Sequence, residues 1–377
     1  MSENNIVRMA IIGVGNMGMK YATMINNGKV KRMVLTAVCA RSDDSKKWVR
    51  ENLNDGVQIF SNSDELFSNG DLYDAVLITT PHKSHPQLAI EAFELGKHVF
   101  CEKPAGVSLI DAKKMEVAAD KAGKKYAMMF HLRTYPVIKK LKQLLQENTI
   151  GTIDRMILEN SIYYRTKFYH ESGSWRSSWA GEGGGALINQ GQHILDYWQW
   201  MFGMPEAIIA DIPFGKYNDF EVDDEATLLM EYPNKKSAVF ILTTGEIQCE
   251  EKLSIIGSKG KISMYGNKIE VERNEADAVE YGMTAKINTR DNMKTTSETI
   301  ICDAPSEPYE IMLNNFSEAV LDGTDLIASG KDGSNTLEIS NAAYMSAWLN
   351  QKITFPLDAF VYDKMLQEHI ALEKGNI

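Results

Sequence analysis

The chain is poor in cysteine and has neither a long apolar run nor a block of basic residues. Its four cysteines are far apart without CxxC spacing, which excludes a disulfide framework and a cysteine-based zinc site. No stretch approaches the roughly 20 apolar residues that span a bilayer, and no signal peptide is visible, so we expect a soluble, cytoplasmic protein with no membrane partner. The 40 basic and 51 acidic residues give a net charge of −11. That balance repels phosphate backbones and argues against a nucleic-acid partner.

What is present is ordinary globular composition in a chain too long for one domain. Apolar residues make up 44% and charged residues 24% of the 377 residues. Up to about residue 130, short apolar runs such as Ile6–Ile12, Met33–Ala40 and Ala75–Thr79 alternate with stretches of helical length. Strands that alternate with helices predict βαβ crossovers and a doubly wound parallel sheet. We therefore predict a Rossmann-like domain over residues 1–130.

After residue 131 the pattern changes to a few helices and a run of strand candidates. Ile153–Tyr164 resembles a strand, Gly183–Phe202 begins with three glycines and continues as an apolar helix, and residues 273–307 are hard to assign. Successive strands behind a few helices indicate an α+β domain with an open, mostly antiparallel sheet. Residues 131–377 are predicted to form this second domain.

The motif Gly13-Val14-Gly15-Asn16-Met17-Gly18 follows the first strand and opens the first helix. Gly13 allows the tight turn, Gly15 lets a pyrophosphate approach the backbone, and Gly18 permits close helix–strand packing. The helix N-terminus offers unpaired N–H groups to the anion. This turn predicts dinucleotide binding, with Asn16 and Met17 as further contacts.

The second strand ends in Ala40-Arg41-Ser42, without the carboxylate that usually meets the adenosine ribose of NAD. Arg41 and the Ser42 hydroxyl would hold a 2′-phosphate, so the sequence favours NADP over NAD. The alternative is that Arg41 only stacks on adenine and both cofactors bind.

Two further segments follow predicted strands and should face the cofactor, because ligands bind beyond the strand ends in such sheets. The first, Thr79 to His85, contains two histidines three residues apart, for which loop packing is favoured over a metal site. The second is Glu102-Lys103-Pro104, whose lysine could donate a proton or stabilise an alkoxide. The predicted cofactor contacts from these segments are Thr79, Thr80, Pro81, His82, His85, Glu102 and Lys103.

Together these motifs resemble the glucose–fructose oxidoreductase / inositol dehydrogenase / MocA family. The resemblance continues through Trp175-Arg176, Gly183-Gly184-Gly185, His193 and Asp196 and covers essentially the whole chain. It implies NAD(P)-dependent hydride transfer to or from a hydroxyl of a sugar, glycoside or polyol, and assembly as a homodimer or homotetramer through the broad face of the second sheet.

The resemblance also implies that Lys103 and His193 are the catalytic residues, and the chain departs from the family pattern at one position beside them. Asn189 stands where an Asp is usual, on what the sequence predicts to be one helix face with His193. An amide cannot take a proton, which shifts the base role to His193 alone or to the Lys103–His193 pair.

Aromatic rings with polar tips surround the predicted strand-to-helix connection and suit a pyranose. The predicted substrate contacts are Lys103, Tyr169, Trp175, Arg176, Asn189, Gln192 and His193. An aromatic core or subunit interface is the alternative for the aromatic residues. Two rival functions stay open, namely an NAD-dependent glycosidase that works by transient oxidation and a non-catalytic nucleotide-sensing protein.

Overall fold

A computed structural model describes residues 5–173 and 175–375, which divide into two compact units. Unit 1 comprises residues up to Arg133, Gly181–Gly183 and Glu307–Glu338, and unit 2 comprises Thr134–Ala180, Gly184–Ser306 and the residues from Ile339 onward. Each unit is described separately below. No helix in the described ranges is both long and apolar enough to cross a membrane.

Unit 1 is built on a six-stranded parallel sheet with the order β3-β2-β1-β4-β5-β6. Its elements are β1 (Val7–Ile12), α1 (Asn16–Asn26), β2 (Met33–Cys39), α2 (Asp43–Asn52), β3 (Gln58–Phe60), α3 (Ser63–Phe67), β4 (Ala75–Ile78), α4 (His85–Glu94), β5 (His98–Cys101), α5 (Leu109–Ala122) and β6 (Tyr126–Met128). All four residues of β4 are buried, as expected for a strand covered by helices on both faces. The Rossmann prediction is confirmed.

Unit 2 contains a nine-stranded sheet in which only β7 and β10 pair in parallel. Its elements are α6 (Pro136–Gln146), β7 (Ile153–Asn160), α7 (Lys167–His170), α8 (Gly191–Phe202), β8 (Ala207–Asp211), β9 (Glu225–Tyr232), β10 (Lys236–Thr243), β11 (Glu251–Gly257), β12 (Gly260–Tyr265), β13 (Lys268–Asn274), α9 (Ala278–Thr284) and β14 (Thr295–Ile301). The strand order is β14-β13-β12-β11-β7-β10-β9-β8-β15, where the edge strand β15 (Ile353–Thr354) lies near the end of the chain. The predicted open, mostly antiparallel sheet is confirmed.

One face of the second sheet carries the core of unit 2. Along β10, Ala238, Phe240 and Leu242 are buried, and the residues between them are less so. The ring of Trp198 on α8 meets Phe240 edge to face at 5.6 Å. This period-two alternation is what packing helices on one sheet face requires.

The C-terminal part of the chain contributes to both units. Helix α10 (Pro308–Asp322) belongs to unit 1, α11 (Gly330–Leu349) has its first residues in unit 1 and the rest in unit 2, and α12 (Ala359–Gly375) belongs to unit 2. Phe316 of α10 stacks on Phe100 at 5.1 Å. The buried Arg133 pairs with Asp332 at 2.8 Å and donates to the carbonyl of Ile327. Residues 307–338 therefore group with the Rossmann sheet, whereas the sequence placed all of 131–377 in the second domain.

Candidate active site

The glycine turn connects β1 to α1, and its conformation explains two of its three glycines. Gly13 has φ of +98°, a conformation that L side chains rarely adopt, and a Cβ there would lie 2.9 Å from Thr80. A Cβ on Gly18 would collide with the carbonyl oxygen of Gly13. Gly15 caps α1 without any side-chain hydrogen bond, and a Cβ there would meet no atom within 4 Å. This turn has room for a phosphate beside the helix N-terminus, so its residues fit a dinucleotide.

The loop after β4 is tied to the glycine turn and to the loop after β5. Thr79 donates its hydroxyl to the Gly13 carbonyl, and Ser84 donates to the Thr80 hydroxyl at 2.7 Å. His85 is fully buried, with Nε2 2.7 Å from the Thr80 carbonyl and Nδ1 2.8 Å from the Pro104 carbonyl. His85 therefore fixes the two loops relative to each other. His82 is also buried, and its Nδ1 lies 3.3 Å from the Glu182 carbonyl.

Glu102 and Lys103 follow β5, which neighbours β4 and is separated from β1 only by that strand. The Tyr21 hydroxyl donates to one carboxylate oxygen of the buried Glu102, and the Lys103 backbone N–H lies 3.2 Å from the other. Burial raises the pKa of Glu102, while Lys103 and Tyr21 oppose that shift. The glycine turn, Thr79–Thr80 and Glu102–Lys103 thus lie at the carboxyl ends of three successive strands in the sheet.

Three residues that the sequence reasoning missed surround this position. His131, just beyond β6, stacks on Tyr309 at 4.5 Å, and the Lys20 ammonium lies 3.8 Å from the centre of the Tyr309 ring. Burial, and then the charges of Lys103 and Lys20, lower the pKa of His131 to about 4. His131 is therefore a neutral imidazole at physiological pH. Its place directly after a predicted strand was a signal that could have identified it.

Arg41 and Ser42 follow β2 and are exposed. The Ser42 hydroxyl caps α2 by accepting from the Ser45 N–H at 3.2 Å, and Asp43 and Asp44 form the acidic first turn of that helix. The Ser45 hydroxyl donates to the carbonyl of Val14 at 3.0 Å, which links this helix start to the glycine turn.

In unit 2, residues 184–187 are held by a buried carboxylate that the sequence reasoning also missed. Asp223 accepts from the N–H groups of Gly185 and Leu187, both at 2.7 Å, and from the Tyr344 hydroxyl at 2.6 Å. Side chains at Gly184 and Gly185 would collide with Tyr344 and with the Asp223 backbone. Gly184 and Gly185 are thus explained by close packing around Asp223 and Tyr344.

This packing corrects the predicted helix over Gly183–Phe202. Helix α8 begins only at Gly191, because the contacts to Asp223 hold the preceding segment in turns. Asn189 lies in those turns, and its backbone N–H donates to the Gly185 carbonyl at 3.1 Å. The half-buried His193 lies in the first turn of α8. The prediction that Asn189 and His193 share one helix face is wrong.

The hydroxyl of Tyr169 is the centre of a polar cluster that contains three predicted substrate contacts. It accepts from Arg176 Nη1 at 2.7 Å, Asn189 Nδ2 at 3.1 Å and Gln190 Nε2 at 3.1 Å. The Arg176 guanidinium also lies 4.4 Å from the ring centres of both Tyr169 and Trp175. Tyr169, Trp175, Arg176 and Asn189 therefore lie together.

Gln192 and Asp196 are buried inside unit 2. The Gln192 amide donates to the Leu187 carbonyl at 3.2 Å and to the Ser340 hydroxyl at 3.0 Å. Both side chains are fully buried. Gln192 thus has a packing role in this conformation, and its predicted contact with substrate stays a prediction.

A second buried carboxylate lies beside α8. Glu251 accepts from the Tyr197 hydroxyl at 2.6 Å and from Asn160 at 2.8 Å, and burial raises its pKa. Tyr197 is four residues after His193, so both side chains project from one side of the helix. Among the residues that the structure describes, no group of three or more His, Cys, Asp or Glu side chains could hold a metal ion.

The strand order and the glycine turn are those of a dinucleotide-binding Rossmann domain. Residues 7–130 match the family model described as the oxidoreductase family with NAD-binding Rossmann fold, and residues 138–263 match the GFO/IDH/MocA C-terminal domain. The chain belongs to the glucose–fructose oxidoreductase / inositol dehydrogenase / MocA family.

Individual relatives are distant. Trans-1,2-dihydrobenzene-1,2-diol dehydrogenase of Bos taurus is 24% identical over 67% of this chain and 72% of its own length. Glucose-6-phosphate 3-dehydrogenase of Bacillus subtilis is 25% identical over 80% of this chain and 83% of its own length. The WlbA dehydrogenase of Chromobacterium violaceum, solved with NADH and UDP-GlcNAcA, is 25% identical with a TM-score of 0.79, covering 95% of this chain and 98% of that one.

Proposed function

We propose that the protein is an NAD(P)-dependent dehydrogenase that acts on a ring or chain hydroxyl of a sugar, glycoside or polyol. The observation that carries the proposal is the arrangement in unit 1, where β1, β4 and β5 end in the glycine turn, Thr79–Thr80 and Glu102–Lys103. In a doubly wound sheet, ligands bind beyond these strand ends, where the strand order reverses. The strand-end position of Lys103 supports a lysine beside the proposed dinucleotide position.

Lys103 and His193 are assigned the catalytic roles. The Lys103 ammonium stabilises the developing alkoxide as a fixed positive charge, and the His193 imidazole removes the hydroxyl proton. A bound nicotinamide dinucleotide supplies the hydride chemistry. Glu102, held by Tyr21, orients the Lys103 backbone by accepting its N–H. Because Asn189 cannot take a proton, His193 acts without an adjacent aspartate at that position.

The cofactor is proposed to be NADP in preference to NAD. Arg41 is exposed directly after β2, and the tip of that strand has no carboxylate to repel a 2′-phosphate. Titration of the purified protein with NADPH and NADH measures this preference, and Arg41→Ala should remove it. Equal affinities in the unaltered protein would contradict the assignment.

The substrate class is supported by the polar and aromatic cluster around Tyr169 and by the relatives. The named relatives include a diol dehydrogenase and a hexose-phosphate dehydrogenase. Tyr169 and Trp175 are aromatic rings with polar edges, of the kind that bind sugars, and both rings pack against Arg176.

The decisive experiment is a panel of sugars, glycosides and polyols assayed for formation of reduced nicotinamide with NAD and NADP. Lys103→Met and His193→Gln should each lower kcat by about 10²-fold or more, and His193→Gln should do so with little change in cofactor affinity. Lys121→Met, which alters an exposed lysine, is the matched control. Glycoside hydrolysis without net cofactor reduction would instead indicate the redox-assisted glycosidase. Cofactor binding without turnover, unaffected by either substitution, would indicate a nucleotide sensor.

We also infer that the protein forms a homodimer or homotetramer through the outer face of the second sheet. That face exposes Ile209 and Leu229, at 44% and 50%, and these two residues are directly paired between β8 and β9, so they form one apolar patch. Light scattering measures the assembly, and replacement of Leu229 by Glu should dissociate it.

A further inference from the structure

Two arginine side chains of unit 2, Arg165 and Arg176, lie against the ring of Tyr169. The guanidinium carbon of Arg165 lies 4.6 Å from the centre of the Tyr169 ring, and that of Arg176 lies 4.4 Å from it. The Arg165 backbone is anchored on the carbonyl of Thr244 at 2.8 Å, next to the end of β10. The Arg165 backbone is therefore fixed at the end of β10, and Arg176 is joined to Asn189 through the Tyr169 hydroxyl.

The hydroxyl of Tyr169 has more donors around it than it can accept. A phenolic oxygen has two lone pairs, yet Arg176, Asn189 and Gln190 all direct N–H groups at it within 3.1 Å. Its own proton cannot be donated to any of these nitrogens when they are donors. The Tyr169 hydroxyl can therefore donate its proton only away from these three nitrogens, toward an acceptor outside the cluster.

Arg165 lacks a carboxylate partner within the described part of the chain. Its guanidinium donates to the Tyr164 carbonyl at 3.1 Å and faces the rings of Tyr163 and Tyr169. Its Nε is buried without a hydrogen-bond partner among the described residues. A partly desolvated guanidinium without an anion is costly, and a bidentate carboxylate or phosphate is its best partner.

His170 lies next to Tyr169, and the charged groups around it shift its pKa. His170 is bonded to Ser177 at 2.6 Å, and its ring lies 5.4 Å from that of Tyr169. Burial lowers its pKa, the carboxylate of Asp224 opposes this shift, and Arg165 and Arg176 both lower it further. The Asp224 carboxylate also accepts from the N–H groups of Tyr217 and Asn218.

We propose that Arg165, Arg176 and the Tyr169 hydroxyl form a subsite for an anionic group, so that the substrate is a sugar or polyol bearing a carboxylate or a phosphate. This inference rests on the proposed sugar-directed activity and specifies its substrate class. Through Asn189 and Gln190, the subsite is hydrogen-bonded to the turns that lead into α8 and His193. The anion positions the substrate in unit 2, and the reacting hydroxyl is on another part of the same molecule.

The test measures binding of D-glucuronate, D-glucose 6-phosphate and D-glucose by calorimetry, with NADPH or NADH saturating and ionic strength matched. We expect at least one of the acidic sugars to bind about tenfold or more tightly than glucose, and Arg165→Gln to weaken that compound by about 10- to 100-fold. Glucose binding should change by less than about threefold. The acid that binds more tightly, D-glucuronate or D-glucose 6-phosphate, shows whether the subsite prefers a carboxylate or a phosphate.

The controls separate loss of the anion contact from general damage. Arg165→Lys keeps the positive charge but loses the planar guanidinium that binds an anion through two N–H groups, and it should have an intermediate effect. Arg290→Gln alters an exposed arginine in the segment between α9 and β14 and should have none. Circular dichroism and the urea transition verify that each variant is folded.

Failure of this inference is distinguishable from failure of the proposed activity. Equal binding of acids and glucose, no binding of any acid, or an acid preference that survives Arg165→Gln would overturn the anion subsite. Turnover of neutral polyols but of no acidic sugar would also overturn the anion subsite, while it would support the proposed dehydrogenase activity. A preference lost in Arg165→Gln, with no turnover of any compound, would support the subsite and reject the dehydrogenase.

Discussion

Asp223 is expected to be a main determinant of the stability of unit 2, and Asp223→Asn tests this with a change of only one atom. The carboxylate is buried and accepts three hydrogen bonds of 2.6 to 2.7 Å, from Gly185, Leu187 and Tyr344. The amide of Asn has one oxygen in place of two. Its NH₂ group would therefore face one of these donors, while the remaining bonds lose their charge assistance.

The magnitude follows from these contacts. A buried N–H left without an acceptor costs about 1–3 kcal/mol, and each bond to a charged group contributes about 1.5–3 kcal/mol against about 1 for a neutral one. Relief of the desolvation of a buried charge offsets part of this loss. We expect Asp223→Asn to lower the free energy of unfolding by about 2–4 kcal/mol. Tyr344→Phe, which removes one donor only, should cost about 1 kcal/mol.

Urea denaturation followed by tryptophan fluorescence is the appropriate assay, since five of the six tryptophans belong to unit 2: Trp175, Trp179, Trp198, Trp200 and Trp348. Asp219→Asn, at an exposed position of the same unit, is the control and should change the midpoint very little. If Asp223→Asn and Asp219→Asn gave the same midpoint, the account of the triple-glycine segment would be refuted.

Two further predictions concern unit 1. Gly18→Ala should abolish or severely weaken dinucleotide binding in a fluorescence titration, because its Cβ would collide with the Gly13 carbonyl. Gly28→Ala is the comparison variant. It adds a methyl group away from the turn, at a glycine with φ of +70° where a Cβ meets nothing within 4 Å. His98 accepts from the Lys125 N–H at 3.0 Å through Nδ1, and burial followed by the charge of Lys124 lowers its pKa from 6.5 to about 4. The unfolded state therefore binds more protons between these two values, so stability should fall as the pH drops from 6.5 toward 4. His98→Gln should flatten this dependence in urea titrations, and an unchanged slope would argue against the assignment.

Local patterns in the sequence determined much of unit 1. Alternating apolar runs and the spacing Gly13–Gly15–Gly18 are consequences of burial on both sheet faces and of a tight βα turn, both of which act over a few residues. The sequence therefore predicted the parallel sheet, the position of the phosphate-binding turn and the strand-end location of Glu102–Lys103. The family was also recognisable from such motifs.

Contacts between residues distant in the chain decided what the sequence could not. The grouping of residues 307–338 with unit 1 depends on the Arg133–Asp332 pair and the Phe100–Phe316 stack, which join positions about 200 residues apart. The start of α8 at Gly191 depends on Asp223, whose carboxylate replaces the helical hydrogen bonds of Gly185 and Leu187. Likewise, only the fold brings Arg165 and Arg176 onto the same ring, because guanidinium placement depends on packing and not on local spacing.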